Sequence, residues 1–62
     1  MKMTYNEFKK LKAGDQCVII KTGEPGRVMT VNSKTDNIQL QAKRAGLGMT
    51  KEWYNYTYLA KI

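Results

Sequence analysis

The chain has 62 residues and a formal net charge of +6, from eleven Lys and Arg against five Asp and Glu. It contains no His, which excludes a His-based triad, proton shuttle or His metal ligand, and its one Cys can form neither an internal disulfide nor a Cys-rich zinc site. No apolar run nears the roughly 18 residues of a membrane helix, and the opening Met-Lys-Met-Thr carries no signal-peptide core, so one domain over 1–62 in the cytoplasm is expected.

So short a chain buries only about 60% of the surface its unfolded form exposes. It needs one core and short connections, and a small barrel of short strands meets both needs because closure removes exposed edges. A helical bundle would need long amphipathic runs, which are absent.

The first element is a helix over about 4–12. Thr4 and Glu7 have capping-box spacing, and Met3 and Phe8 fall at the two positions of a hydrophobic staple. Tyr5, Phe8 and Leu11 make an apolar stripe, Lys9, Lys10 and Lys12 suit the negative end of the helix dipole, and Gly14 can supply a left-handed stop. From Asp15 the pattern turns to β. The continuous apolarity of Cys17-Val18-Ile19-Ile20 predicts burial on both faces, one toward the interior and one beneath the docked helix. Thr22 to Gly26 reads as a turn, and Arg27 to Asn32 as a strand. Val28 and Val31 have opposite parity, which predicts a bulge or strong twist between them.

Ser33 to Asn37 is a polar turn, with Asp36 suited to it. Ile38, Leu40 and Ala42 alternate with Gln39, Gln41 and Lys43, the clearest half-buried strand. Lys43 to Lys51, with Gly46 and Gly48, reads as a mobile loop, and Trp53 to Tyr58 as an aromatic strand. A turn near Tyr58 and a last strand ending at Ile62 complete a barrel of about five antiparallel strands over 15–62.

Leu11 to Ile20, followed by Gly23 and by Gly26-Arg27-Val28, resembles the opening of small SH3-like barrels. The nearest pattern is the KOW motif of ribosomal proteins and transcription elongation factors, matched at Gly14, Asp15, Val18, Ile20, Gly26 and Val28. Tyr58-Leu59 and Ile62 resemble the closing turn and strand of such barrels. The resemblance implies an SH3-like barrel that binds RNA or protein without catalysis.

Two features point to a ligand. Lys21, Arg27, Lys43, Arg44 and Lys51 lie on or beside the strands, where neutralising phosphates releases counterions and gives salt-dependent affinity for nucleic acid. The bland reading of that charge is solubility, since +6 is ordinary for a soluble small domain. Tyr54, Tyr56 and Tyr58 would form a row of rings if they share a strand face; bases stack on such rings, and proline-rich peptides dock in aromatic grooves. Tyr54 and Tyr56 are the candidates to stack, and Trp53 reads as core because a small interior needs large side chains.

Leu47 and Met49 could mark a seam with a protein partner or a second copy, together with Tyr54 and Tyr56. Gly46-Leu47-Gly48 lacks the Lys-Ser or Lys-Thr of a P-loop. Cys17 reads as a buried hydrophobe. No carboxylate pair or hydroxyl–base pair is recognisable, so neither an enzyme, a cofactor nor a metal is expected. The expectation is a nucleic-acid-binding module, with protein interaction or assembly as the alternative.

Overall fold

The computed structural model describes residues 2–44 and 46–62, Arg44 by its backbone alone. Helix α1 spans Tyr5–Lys9. Thr4 Oγ1 accepts the Glu7 amide at 3.2 Å, and Glu7 Oε1 accepts the Thr4 amide at 2.8 Å, so the capping box forms in both directions. Both staple residues, Met3 and Phe8, are buried. The helix stops three residues short of the expected Lys12. Its last amides bond three residues back, Lys10 to Glu7 and Leu11 to Phe8, and the Lys12 amide is taken by the Asp15 carboxylate at 2.9 Å. Gly14 does not end the helix. It takes φ 99° within the turn that Asp15 closes by donating its amide to the Lys12 carbonyl, and its own amide donates to Val28.

Five antiparallel strands follow: β1 (Gln16–Ile19), β2 (Pro25–Asn32), β3 (Asn37–Arg44), β4 (Gly48–Asn55) and β5 (Leu59–Lys61). A 3-10 helix, Tyr56–Tyr58, joins the last two. The strands make one sheet in the order β4-β3-β2-β1-β5. β4 and β5 are its edges and no ladder joins them among the described residues, so the sheet is open where a closed barrel was expected. The bulge falls as the valine parity predicts: Val28 pairs with Leu40 and Thr30 with Gln39, leaving Met29 as the extra residue. Asp36 takes φ 58° in the turn between β2 and β3, a conformation Asp tolerates.

Residues directly opposite one another on neighbouring strands point to the same face. The inner face carries the rows Val28–Leu40–Glu52, Val31–Ile38–Tyr54 and Cys17–Gly26–Ala42–Thr50. Cys17, Gly26 and Ala42 are all small and all buried, which leaves room for the Leu40 side chain against the Gly26 backbone. Ile19, Val28, Ile38, Leu40 and Leu59 complete the core from the sheet, and Met3, Phe8 and Leu11 close it from the N-terminal segment.

β1 departs from the expected two-sided burial. Cys17 and Ile19 are buried, but Val18 is only half-buried and Ile20 is 46% exposed. The reason is where the helix docks. The Met3 amide donates to the Leu59 carbonyl at 2.7 Å, and Phe8 stacks on Tyr56, 4.9 Å between centroids, so the helix meets β5 and the 3-10 helix. The described part of 43–51 is also mostly strand where a loop was expected. β3 runs through Arg44 and β4 begins at Gly48, with Lys43 opposite Met49 and Arg44 opposite Gly48. Gly46 at φ 80° and Gly48 at φ 71° adopt left-handed conformations that glycine takes without steric cost.

Candidate functional site

The outer face of β2, β3 and β4 concentrates the basic candidates. One cross-strand row is Arg27–Gln41–Lys51. Beside it lie Thr30–Gln39–Trp53 on one side and Lys43–Met49 on the other. Arg27, Lys43 and Lys51 are all exposed. Strands lie about 4.8 Å apart, so Arg27 and Lys51 are held roughly 10 Å apart across the strip.

Among the described residues, no carboxylate occupies a position on this face. Glu52 points to the inner face, where Tyr54 donates its hydroxyl to Oε2 at 2.9 Å. Glu7 lies on α1, Asp36 in the β2–β3 turn and Glu24 in the β1–β2 connection. Asp15 lies in the turn before β1, 3.9 Å from the Lys61 ammonium. The sheet thus gathers positive charge on one surface and holds the acids away from it. Arg27 and Lys51, about 10 Å apart, are largely screened from one another at physiological salt, and Lys43, about 8 Å diagonally from each, lies at the screening length itself.

Trp53 is the residue that the sequence reading missed here. It is 49% exposed, on the outer face opposite Gln39, and not in the core. Trp53 and Tyr54 are consecutive, so they must face opposite ways. Tyr54 takes the inner position, in the row of Val31 and Ile38. The sequence signal was the shared parity of Met49, Lys51 and Trp53, which the reading of 43–51 as a loop concealed.

The tyrosines do not form a row. Tyr54 is on β4, while Tyr56 and Tyr58 belong to the 3-10 helix. Tyr56 is half-buried, stacked on Phe8 and tilted against Tyr5 at 5.9 Å between centroids. That ring docks the helix and offers no platform for a base. Tyr54 lines a separate cleft with Ile19, Lys21, Thr22, Glu24, Glu52 and Tyr58. Lys21 therefore lies with Tyr54 and apart from Arg27, Lys43 and Lys51. The Arg44 side chain lies outside the described residues. Leu47 and Met49 are 69% and 61% exposed, at and beside the hairpin tip.

Cys17 is buried, and desolvation pushes its thiol above the ordinary 9.0; Lys61 lowers it and Asp15 raises it in smaller measure. A thiol held protonated is a poor nucleophile. Among the described residues, no three His, Cys, Asp or Glu side chains group as metal ligands would, and no helix is long and apolar enough to cross a membrane. No family model matches this chain, and neither a curated protein nor a solved structure matches it.

Proposed function

We propose that this domain is a non-catalytic nucleic-acid-binding module of SH3-like barrel type that works through the outer face of β2, β3 and β4. The observation that carries the reading is the alignment of Arg27, Lys43 and Lys51 on one surface without a carboxylate. The strand order, and the return of β5 to β1 through a 3-10 helix, support the SH3-like part of the reading. Phosphates would be neutralised by the three cations. Gln41 lies between Arg27 and Lys51, Gln39 lies in the next row beside Trp53, and both supply amide donors and acceptors.

Salt dependence tests the proposal. Three phosphate contacts give a log–log slope of about −2 to −3, so affinity falls roughly 20- to 40-fold between 50 and 200 mM salt. In the double variant Lys43→Gln/Lys51→Gln one contact remains, and the fall shrinks to about threefold. Anisotropy of labelled oligonucleotides reads both values. All the altered side chains are exposed, so the thermal midpoint of the variant should match the parent. An unchanged salt slope in the variant would place binding elsewhere.

The second reading, an assembly module, rests on the exposure of Leu47 and Met49 at the hairpin. It requires self-association, or capture of a protein, that is insensitive to salt and is lost in Met49→Lys. Sedimentation of the free protein at both salt concentrations separates the two readings.

A further inference from the structure

The outer face also limits the form of the nucleic acid, an inference that rests on the reading above. Trp53 is the one Trp of the chain, half exposed, in the row next to Arg27 and Lys51. It stands two residues from Lys51 along β4, roughly 7 Å away. An exposed indole is expensive to keep in water and is the broadest ring a protein can offer to a base. Bases inside a duplex already stack on one another, so an indole on a sheet surface reaches only an unstacked one. Duplex readers insert a helix or a β-ribbon into a groove. Here the cations lie across a sheet face three strands wide, in which β2 is paired on both sides and β4 is the sheet edge. A positively charged surface with an aromatic ring is the arrangement that receives single strands.

Three uncharged side chains of the face bear on the sugar. Thr30, Gln39 and Gln41 lie in the same two rows as Arg27, Lys51 and Trp53 and are uncharged hydrogen-bonding groups. A ribose 2′-hydroxyl can both donate to and accept from such groups, whereas deoxyribose offers nothing at that position. We propose that the outer face of β2, β3 and β4 binds single-stranded RNA, with one base stacked on Trp53 and the flanking phosphates on Arg27, Lys43 and Lys51. Trp53 then sets the requirement for an unpaired base, and Thr30, Gln39 and Gln41 set the preference for ribose.

The sole Trp makes the test direct. The intact protein is titrated at 50 mM salt with an eight-nucleotide single-stranded RNA of mixed sequence, the matching DNA, and the RNA paired to its complement. Intrinsic fluorescence is followed together with anisotropy of the labelled oligonucleotides. The expected result is quenching of Trp53 by the single-stranded RNA, weaker binding of the DNA, and no quenching by the duplex. Trp53→Ala should lower RNA affinity by on the order of tenfold, and Trp53→Phe should restore part of the loss, since a ring of any kind stacks. The thermal midpoint of both variants controls for folding.

Salt-sensitive binding without quenching, with Trp53→Ala equal to the parent, overturns the stacking while leaving the basic interface in place. Equal affinity for duplex and single strand overturns the single-strand form, and equal affinity for the DNA overturns the role of the ribose. Binding to none of the three overturns the interface itself.

Discussion

Gly26→Ala tests the packing that brings the two faces of the sheet into being. Gly26 is buried on β2 between Cys17 and Ala42. A methyl group built there would lie 2.5 Å from both Cγ and Cδ2 of Leu40 and 3.2 Å from the Gln41 carbonyl oxygen. Cγ is the branch point of the side chain, so Leu40 cannot yield by swinging its tip alone. It is also 1% exposed, which leaves it no free space to enter. Overpacking of this kind costs about 1–3 kcal/mol. Replacing a strand Gly returns about 0.5–1 kcal/mol by reducing the freedom of the unfolded chain. With the clash at the base of Leu40, the net prediction is a loss of about 1–2 kcal/mol. At roughly 4–8 °C per kcal/mol for a domain of this size, the midpoint should fall by about 4–16 °C. Thermal unfolding followed by circular dichroism reads this directly. Leu40→Ala alone should cost about 2–5 kcal/mol through the cavity it leaves. In the Gly26→Ala background it should cost less, because the new methyl occupies part of that cavity, and the coupling should exceed about 0.5 kcal/mol. A midpoint at or above that of the parent in Gly26→Ala, or strict additivity in the double variant, would refute the close approach of β2 and Leu40.

Two further perturbations probe other parts of the fold. Thr4→Ala removes one half of the capping box and should cost about 1 kcal/mol, a fall of several degrees in midpoint, while Thr4→Ser should retain most of it. A Thr4→Ala midpoint within about one degree of the parent would show that the staple alone fixes the helix start. Cys17 has a folded-state pKa raised above 9.0 by burial, so the folded protein holds a proton that the unfolded chain releases. Stability from this group is therefore full below pH 9.0 and declines as pH rises from there toward the folded value. The difference between parent and Cys17→Ala should reveal that decline in melts above and below pH 9.0, and alkylation of the folded parent should be limited by opening of the core. Rapid alkylation of the folded protein would contradict the burial.

The features legible in the sequence are the ones carried by short-range chemistry. The capping box needs only Thr4 and Glu7 three residues apart, and the staple only Met3 and Phe8, so their spacing alone specifies the helix start. Alternation at Ile38, Leu40 and Ala42 marks β3, and the opposed parity of Val28 and Val31 marks the bulge at Met29, because both follow from the two-residue period of a strand. The same period establishes that Trp53 and Tyr54 face opposite ways, but it carries no information on which one faces inward. That choice follows from the register of β4 on β3, which places Tyr54 beside Ile38 in the core and Trp53 beside Gln39 outside.

The docking of α1 is likewise a long-range matter. The apolar stripe of the helix shows that it must cover something, and the pairing of Met3 with Leu59 and the stack of Phe8 on Tyr56 decide what it covers. That contact removes Tyr56 from any ligand face and leaves Ile20 in solvent. The net charge of +6 is a property of the sequence, yet the gathering of Arg27, Lys43 and Lys51 on one carboxylate-free face depends on three strands lying side by side. Hydrogen bonds over three residues and the pleat of a strand are local and can be read from the chain; register and docking are fixed by which distant side chains can share one small core.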